Sequence, residues 1–261
     1  MLVTLDQLPT RSDGVPHHVT GFAMLNGCLY VVYYEYNKVQ VFLCEDGCKK
    51  IKEIEVKEME SPWDMAGSDM TSQLFISERN NDIIWRVDLE KGIGDVFIKT
   101  GYMATSLSLA ETRLLASRDS LLMFDILSGE GMKEIPFSKN IKKHFVEHVI
   151  ETNRGTFFVC HGHQSGNRTV SEIDSEGRVI QVLDNKQRFD CYHLALDSFG
   201  RLIAAEWKNN QVVLFNEHLQ YERVLVNKRS DNAVPTKLSY NKKNNRLMVC
   251  LDNKQVEIFK Y

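Results

Sequence analysis

An apolar segment recurs six times along the chain, and the spacing of its copies restricts the folds that this sequence can adopt. Each copy contains an anchoring leucine or phenylalanine, and the anchors are Leu29, Leu74, Leu114, Phe157, Leu202 and Leu247. Successive anchors are 40 to 45 residues apart. A repeat of about 40 to 45 residues that contains four strands is typical of a β-propeller blade.

The strands of one repeat are clearest in the fifth copy. Residues 194–197 form a short apolar strand, residues 198–200 form a Ser-Phe-Gly turn, and residues 201–206 form a second apolar strand. A polar loop at 207–210 then leads to a third strand at 211–215. Short strands that are joined by glycine and asparagine turns indicate an antiparallel meander and not a strand-helix-strand unit.

The same order of strands extends to the other copies. Third strands are predicted at residues 38–42, 82–88, 120–126, 169–174, 211–215 and 255–259. Outer strands are predicted at residues 50–56, 94–99, 132–137, 178–183 and 221–226. The sixth copy has no outer strand of its own, whereas residues 2–5 form an apolar segment ahead of the first copy. We predict that this segment completes the sixth blade, because that pairing closes the ring and removes two open sheet edges.

The sequence therefore predicts an all-β fold, a six-bladed β-propeller with four-stranded antiparallel blades that is closed by the N-terminal strand. Residues 1–261 are expected to form a single monomeric domain, with no more than a helical turn at 139–144. A β-sandwich or two stacked barrels would be the alternative, but six evenly spaced copies with complementary ends disfavour it.

Composition and cysteine placement favour a cytoplasmic globular protein that does not enter a membrane. The chain is 43% hydrophobic and 26% charged, as is usual for such proteins. It has no apolar run of membrane-spanning length, and its first residues lack a signal-peptide pattern. Cys28, Cys160 and Cys250 fall in or beside second strands, and Cys44 and Cys48 flank a turn across which they could meet. We expect free thiols in a reducing compartment.

The repeats resemble NHL repeats, whose units combine a Pro-x-Gly/Asp-Ile-Ala-Val-Asp strand, a Gly-x-Ile-Tyr-Val-Ala-Asp strand and an Asn-x-Arg-Ile-Gln-Val-Phe strand. Residues 62–66 (PWDMA) and 194–200 (LALDSFG) fit the first element, and residues 28–32 (CLYVV) fit the second. Residues 37–42 (NKVQVF) and 210–215 (NQVVLF) fit the third. The third and fourth copies depart furthest from the pattern. Lactonase-like and low-density-lipoprotein-receptor-like propellers share much of it.

The resemblance implies a binding module rather than an enzyme. NHL propellers form the terminal domain of tripartite-motif proteins, where one face binds structured RNA or a protein partner. We therefore predict a non-enzymatic binding platform for a protein or a structured RNA, with no cofactor. The overall net charge of −3 favours a protein slightly over RNA.

The binding surface is expected on the loops that link second to third strands and on those that link one blade to the next, because these loops meet at one face. They carry more basic than acidic residues although the whole chain is acidic, and aromatic side chains lie among them. Such a mixture suits base stacking and protein hot spots alike. The candidate binding residues are Tyr36, Arg79, Arg118, His161, His163, Arg168, Trp207, Lys208 and Lys254.

A second candidate site lies at the mouth of the central channel. Alignment of the repeats places Asp64, His148, His193 and Lys237 at equivalent positions. Two imidazoles and a carboxylate around one axis could hold Zn²⁺. The peptidylglycine-amidating lyase is a similar propeller with zinc in its channel, but its histidines precede this position, where the present chain has Trp63 and Tyr192. A metal-dependent hydrolase or lyase that acts through Asp64, His148 and His193 is thus the alternative function, and other catalytic motifs are lacking.

Overall fold

The computed structural model describes residues 2–3, 9–44, 48–142, 144–163, 166–184, 189–228 and 233–261. Its strands form six separate four-stranded antiparallel sheets, so the predicted six-bladed β-propeller is confirmed. The chain completes one blade before it enters the next.

The first three blades take their strands consecutively, after β1 (Leu2–Val3), which belongs to the last blade. Blade 1 contains β2 (Val19–Leu25), β3 (Cys28–Tyr33), β4 (Lys38–Leu43) and β5 (Lys49–Glu55). Blade 2 contains β6 (Pro62–Ser68), β7 (Gln73–Glu78), β8 (Ile83–Asp88) and β9 (Ile93–Lys99). Blade 3 contains β10 (Ser106–Ala110), β11 (Arg113–Ser117), β12 (Ser120–Asp125) and β13 (Gly131–Pro136).

The last three blades follow a short helix, α1 (Lys139–Lys142). Blade 4 contains β14 (Phe145–Glu151), β15 (Phe157–His163), β16 (Gly166–Ile173) and β17 (Val179–Val182). Blade 5 contains β18 (Cys191–Leu196), β19 (Leu202–Glu206), β20 (Gln211–Phe215) and β21 (Tyr221–Asn227). Blade 6 contains β22 (Pro235–Asn241), β23 (Arg246–Leu251), β24 (Gln255–Lys260) and β1.

The N-terminal strand closes the ring as predicted. It pairs antiparallel with β24, so that Leu2 lies opposite Glu257 and Val3 lies opposite Val256. The pairing covers the outer edge of β24 with backbone hydrogen bonds that would otherwise be unmade. Residues 4 and 5 of the predicted strand lie outside the described part of the chain.

Local sequence explains the hairpins and the core. Between β2 and β3 the two turn residues, Asn26 and Gly27, have φ angles of 48° and 78°. This left-handed pair favours a two-residue hairpin whose twist matches the flanking strands. All six repeat anchors are buried, because the second strand of each blade is covered on both faces by neighbouring blades. None of the described helices is long and apolar enough to cross a membrane.

Two expectations from the sequence are corrected. Residues 161–168, which precede the predicted third strand at 169–174 and were expected to be a loop, are mostly strand, because β15 and β16 continue to pair up to His163 and Gly166. The expectation that all the cysteines are free thiols is also wrong in the structure, where Cys44 and Cys48 form a disulfide with their Cα atoms 4.3 Å apart. Cys28, Cys160, Cys191 and Cys250 are free.

Truncating an anchor is expected to destabilise the whole ring. Leu202 is completely buried, so Leu202→Ala removes its apolar contacts and leaves a cavity. The expected loss is about 3 kcal/mol of the free energy of unfolding, measured by urea denaturation. Ile180→Ala is the matched control, because Ile180 is 54% exposed on the outer strand of blade 4. A loss for Leu202→Ala no larger than that for Ile180→Ala would contradict the packing described here.

Candidate functional site

The predicted binding residues lie in or beside the connections between second and third strands, with at least one in each blade. The structure divides these residues by exposure. Arg79, Trp207, Lys208 and Lys254 are exposed, whereas Tyr36 and Arg118 are half-buried. His161 and Arg168 are buried, and the side chain of His163 lies outside what the structure describes. The expected surface is therefore corrected at His161 and Arg168, which lie in strands and turn inward.

β-Bulges at the start of the first strands turn neighbouring side chains in different directions. The register shifts between residues 62 and 64 in blade 2, 146 and 148 in blade 4, and 191 and 193 in blade 5. Such a bulge inserts one extra residue and re-aims its side chain. As a result Asp64 and His193 meet near the channel axis, whereas Trp63 contacts Arg79 and Tyr192 contacts Arg168.

Arg168 organises the first of two cation–aromatic clusters. Its Nε donates to Oε1 of Glu147 at 2.7 Å, and its NH1 donates to Oδ1 of Asp190 at 3.2 Å. Its guanidinium carbon lies 5.2 Å from the ring centroid of Tyr192 and 5.5 Å from that of Trp207. Burial acts to lower the pKa of Arg168, but the charges of Glu147 and Asp190 outweigh it and the pKa is raised. We call these five residues the Trp207 cluster.

Trp207 is the exposed member of this cluster. Its ring meets the Tyr192 ring edge to face at a centroid distance of 5.9 Å, yet 43% of the residue remains exposed. Its backbone N–H donates to the carbonyl of Asp190 at 2.9 Å. The indole thus packs against Arg168 and Tyr192 on one side, and part of it is exposed to solvent.

Arg79 organises the second cluster. Its guanidinium carbon lies 4.6 Å from the ring centroid of Trp63 and 5.5 Å from that of Tyr34. We call these three residues the Arg79 cluster. Burial, and then the charge of Glu147, raises the pKa of Tyr192, while the charge of Arg79 acts in the opposite direction. Arg79 therefore acts on the pKa of a member of the Trp207 cluster, although Arg79 lies in blade 2 and Tyr192 lies in blade 5.

Buried carboxylates hold these loops in place. Glu78 has no exposed surface, and its Oε1 accepts the backbone N–H groups of Glu60 at 2.6 Å and Ser61 at 3.0 Å. In blade 5 the equivalent Glu206 accepts the N–H of Asn209 at 3.1 Å. Glu78, Glu206 and Asp190 count as acidic loop residues in the sequence, but they are buried. The surface of this face therefore exposes fewer acidic side chains than a count of its loop residues in the sequence would give.

Two further candidates are committed to internal contacts. The hydroxyl of Tyr36 donates to Oε1 of Glu53 at 3.0 Å; burial and this bond raise the pKa of Tyr36 to about 12. Nε2 of His161 lies 2.8 Å from Oγ of Ser171. Burial, and then His144, lowers the pKa of His161 to about 4. The hydroxyl of Tyr36 and Nε2 of His161 are thus each engaged in an internal hydrogen bond.

The axial residues come together as the repeat alignment predicts. Asp64, His148 and His193 are buried, and one ligand-type atom from each lies within 4.8 Å of the others. The rings of His148 and His193 are in contact, with a centroid distance of 3.6 Å and an interplanar angle of 31°. Nζ of Lys237 lies 2.8 Å from Oδ1 of Asp64. We call these four residues the axial cluster.

The axial cluster does not fit a metal ion. Oδ1 of Asp64 already faces the Lys237 ammonium, and Oδ2 accepts the N–H of Leu107 at 2.8 Å. Nδ1 of His193 accepts the N–H of Leu238 at 3.3 Å, so Nε2 carries the proton of the neutral ring. Coordination through Nε2 would require a proton on Nδ1, directly against that N–H. The hypothesis of a metal-dependent hydrolase or lyase at Asp64, His148 and His193 therefore loses its donor set.

Protonation of the two axial histidines is suppressed. Burial lowers the pKa of His148 to about 4, against an upward effect of Asp64. Burial, followed by His148 and Lys237, holds the pKa of His193 well below its ordinary value. Both imidazoles are therefore neutral at pH 7, and Lys237 supplies the positive charge that balances Asp64.

Sequence reasoning missed the acidic partners of the loop face. Glu147 and Asp190 were not among the candidates, although they fix Arg168. One signal was available for the buried glutamates: Glu78 and Glu206 each stand four residues after their repeat anchor. A charged residue at the end of a second strand in two repeats points to a shared structural role.

Comparison with known proteins supports the architecture and nothing finer. Neither a protein-family model nor a curated protein matches this sequence. A solved structure described as the WD40 beta propeller domain of Doa1 is similar, with a TM-score of 0.67 over 93% of each chain and 12% sequence identity. At that identity the likeness concerns the fold alone. The chain is a six-bladed β-propeller.

Proposed function

We propose that this propeller is a non-enzymatic binding platform, similar to NHL domains, which captures a protein segment on the face that carries the Trp207 and Arg79 clusters. The observation that carries the proposal is the state of Trp207, which is 43% exposed yet fixed by Arg168 and Tyr192. A large aromatic ring that is already ordered loses little entropy on binding. Tryptophan, tyrosine and arginine are also the residues most enriched in interface hot spots.

The distribution of charge on this face favours a protein over RNA as the partner. Arg168 is buried against two carboxylates, and Arg118 lies 3.9 Å from Asp119. Among the predicted binding residues, the exposed cations are Arg79, Lys208 and Lys254, and they come from three different blades. RNA binding usually draws on a dense set of phosphate contacts. A protein segment with an apolar or aromatic anchor and an acidic residue would match Trp207 and Arg79 together.

The test uses a peptide-display library that is selected on the purified chain, and it measures the affinity of an enriched peptide for variants. Trp207→Ala is expected to weaken binding about 30-fold, which corresponds to roughly 2 kcal/mol for a hot-spot residue. Phe199→Ala is the matched control, because Phe199 is an aromatic residue 77% exposed in a turn between first and second strands. Equal losses for both variants would contradict the proposal.

Charge reversal separates the two kinds of partner. For a protein segment, Lys208→Glu with Arg79→Glu should cost less affinity than Trp207→Ala. For RNA, the same pair should abolish binding, and the affinity should fall steeply with salt. A selected RNA that binds in this salt-dependent way, with no peptide enriched, would overturn the protein assignment.

A further inference from the structure

β17, the outer strand of blade 4, differs in charge from the outer strands of blades 1, 2, 3 and 5. It reads Val-Ile-Gln-Val and contains no charged residue. Each of the other four strands contains at least two, namely Lys49, Lys50, Lys52, Glu53 and Glu55 in β5, Asp95 and Lys99 in β9, Lys133 and Glu134 in β13, and Glu222 and Arg223 in β21. Charged residues on an edge strand discourage pairing with another chain, and β17 lacks this protection.

β17 is exposed as well as uncharged. It is the last strand of its sheet, so within the described part of the chain it pairs with β16 on one side only. Ile180 and Val182 are each more than half exposed, and Val179 is more than a third exposed. The N–H of Leu183 donates to the carbonyl of Val170 in β16 at 2.8 Å. Because successive residues of a strand direct their backbone groups to opposite sides, the N–H and C=O of Val182 point to the open edge.

A β-bulge does not set this edge apart from the others. The register between β16 and β17 shifts between Glu172 and Ile173, but shifts also occur beside the outer strands of blades 1, 2, 3 and 5. Bulges turn an edge away from a second chain, and those four blades add charged residues to that device. In blade 4 the bulge acts without them. The open edge of β17 is therefore short but unprotected by charge.

The two ends of β17 carry opposite charges. Arg178 precedes the strand, Asp184 follows it, and both are exposed. Nε of Arg178 donates to Oδ2 of Asp174 at 2.7 Å, which leaves the two terminal nitrogens of the guanidinium for a second carboxylate. A second copy of the strand that runs antiparallel would bring its Asp184 beside Arg178, and opposite charges beside each other across a strand pair are stabilising. A parallel copy would instead bring like charges together.

We infer that β17 pairs antiparallel with β17 of a second copy of this chain, about a two-fold axis near Gln181. The same surface then serves both copies. The pairing removes Ile180 and Val182 of each copy from water and forms an Arg178–Asp184 pair at each end. A four-residue strand covers less than the roughly 800 Å² per partner that stable dimers bury, so the dimer is weak and the chain is a monomer at low concentration, as expected from its sequence. The inference does not depend on the protein-binding face, so either proposal can fail while the other stands.

The experiment measures the mass of the full chain by sedimentation equilibrium at about 5 µM and about 500 µM, on either side of a dissociation constant on the order of 100 µM. The weight-average mass should be close to 30.1 kDa at the lower concentration and at least half as much again at the higher one. A mass that stays at the monomer value at both concentrations would overturn the inference. An extended peptide that binds at β17 of such a monomer would assign this edge to another protein.

One substitution locates the interface. Val182→Lys gives β17 the kind of charge that the other outer strands carry, and it should weaken self-association at least tenfold. Val96→Lys is the matched control, because Val96 is an exposed valine in β9, the outer strand of blade 2, and it should leave self-association unchanged. Equal effects of the two variants, or undiminished association of folded Val182→Lys, would place the contact elsewhere and contradict the inference.

A pair of charge reversals tests the antiparallel direction. Asp184→Lys and Arg178→Glu each bring like charges together at both ends of the strand pair, so each variant alone should self-associate at least tenfold more weakly than the wild type. An equimolar mixture should associate again, because one end joins the native Arg178 to the native Asp184 and the other joins the introduced glutamate to the introduced lysine. A mixture of folded variants that associates no better than each variant alone would contradict the antiparallel pairing.

Discussion

Lowering the pH from 7.5 to 5.0 is expected to destabilise the protein by roughly 2 kcal/mol for each buried histidine whose pKa is depressed to about 4. His148 and His161 have such values, and burial also holds the pKa of His193 well below its ordinary value. The unfolded chain takes up protons as the pH falls through about 6.5, whereas the folded protein does not do so until about 4. Protons therefore favour the unfolded state. The stability is complete above pH 6.5 and falls toward pH 4.

Two kinds of carboxylate flank this effect. Burial raises the pKa of Glu151 and of Glu206, so their protonation favours the folded state and partly offsets the histidine effect as the pH falls. Burial acts to raise the pKa of Glu53, but hydrogen bonds from Lys50, Gln40 and Tyr36 lower it to about 2. Its stabilising effect is thus lost only below the ordinary glutamate pKa of about 4.5. Because His148→Gln leaves Glu53, Glu151 and Glu206 in place, the difference between the wild type and this variant isolates the contribution of the histidine.

The measurement is urea denaturation at pH 7.5 and pH 5.0 for the wild type and for His148→Gln. The variant should lose about 2 kcal/mol less than the wild type between the two pH values, because glutamine does not titrate. His218→Gln is the control, since His218 is exposed and should leave the pH dependence unchanged. A wild-type stability that is flat between pH 7.5 and 5.0 would contradict the buried, neutral histidines of the axial cluster.

Removing the cation of the axial cluster should be still more damaging. Lys237→Met leaves the Asp64 carboxylate, which is 2% exposed, without its ammonium partner. Loss of one member of a buried ion pair costs about 3–5 kcal/mol. The control is Lys243→Met, because Lys243 is exposed in the turn between β22 and β23.

The pH dependence of this variant gives a sharper result. Asp64 already pulls the pKa of His148 upward, and Lys237 pulls it down. With Lys237 removed, a proton on the imidazole would balance Asp64, so Lys237→Met should recover part of its stability as the pH falls from 8 to 6. The wild type should show the opposite slope. Adding Asp64→Asn to Lys237→Met should restore most of the loss at pH 8. A double variant that is as unstable as Lys237→Met alone would contradict the pairing of these residues.

The fold could be predicted because its determinants are local and repeated. The anchor spacing holds in all six repeats. Turn residues and strand patterns lie within single repeats, and they recur in most of them although the third repeat has Glu111 and Thr112 in its first turn. The closure by residues 2–3 followed from counting strands. The axial cluster could be predicted for the same reason: once the anchors are aligned, the register of each first strand determines that Asp64, His148 and His193 share a level.

The loop face was less accessible to sequence reasoning, because its contacts are long-range. Arg168 looked like an exposed loop cation, but it lies in β16 and is paired with Glu147 of β14 and with Asp190, which precedes β18. No pattern within one repeat shows which carboxylate lies beside it. The protonation of His193 was equally hidden, since it depends on the N–H of Leu238 in the next blade. Composition alone could not distinguish a metal-binding triad from an imidazole pair beside a lysine–aspartate ion pair.

Hydrogen exchange on the complex with a selected peptide tests the location of binding most directly. The account predicts added protection in residues 206–210 and at the backbone amide of Arg168, which donates to Asp190 at 3.1 Å, together with protection around Arg79. The turns at residues 26–27, 198–200 and 241–245 should be unaffected. Protection of those turns, with none at residues 206–210, would contradict the assignment of the binding face.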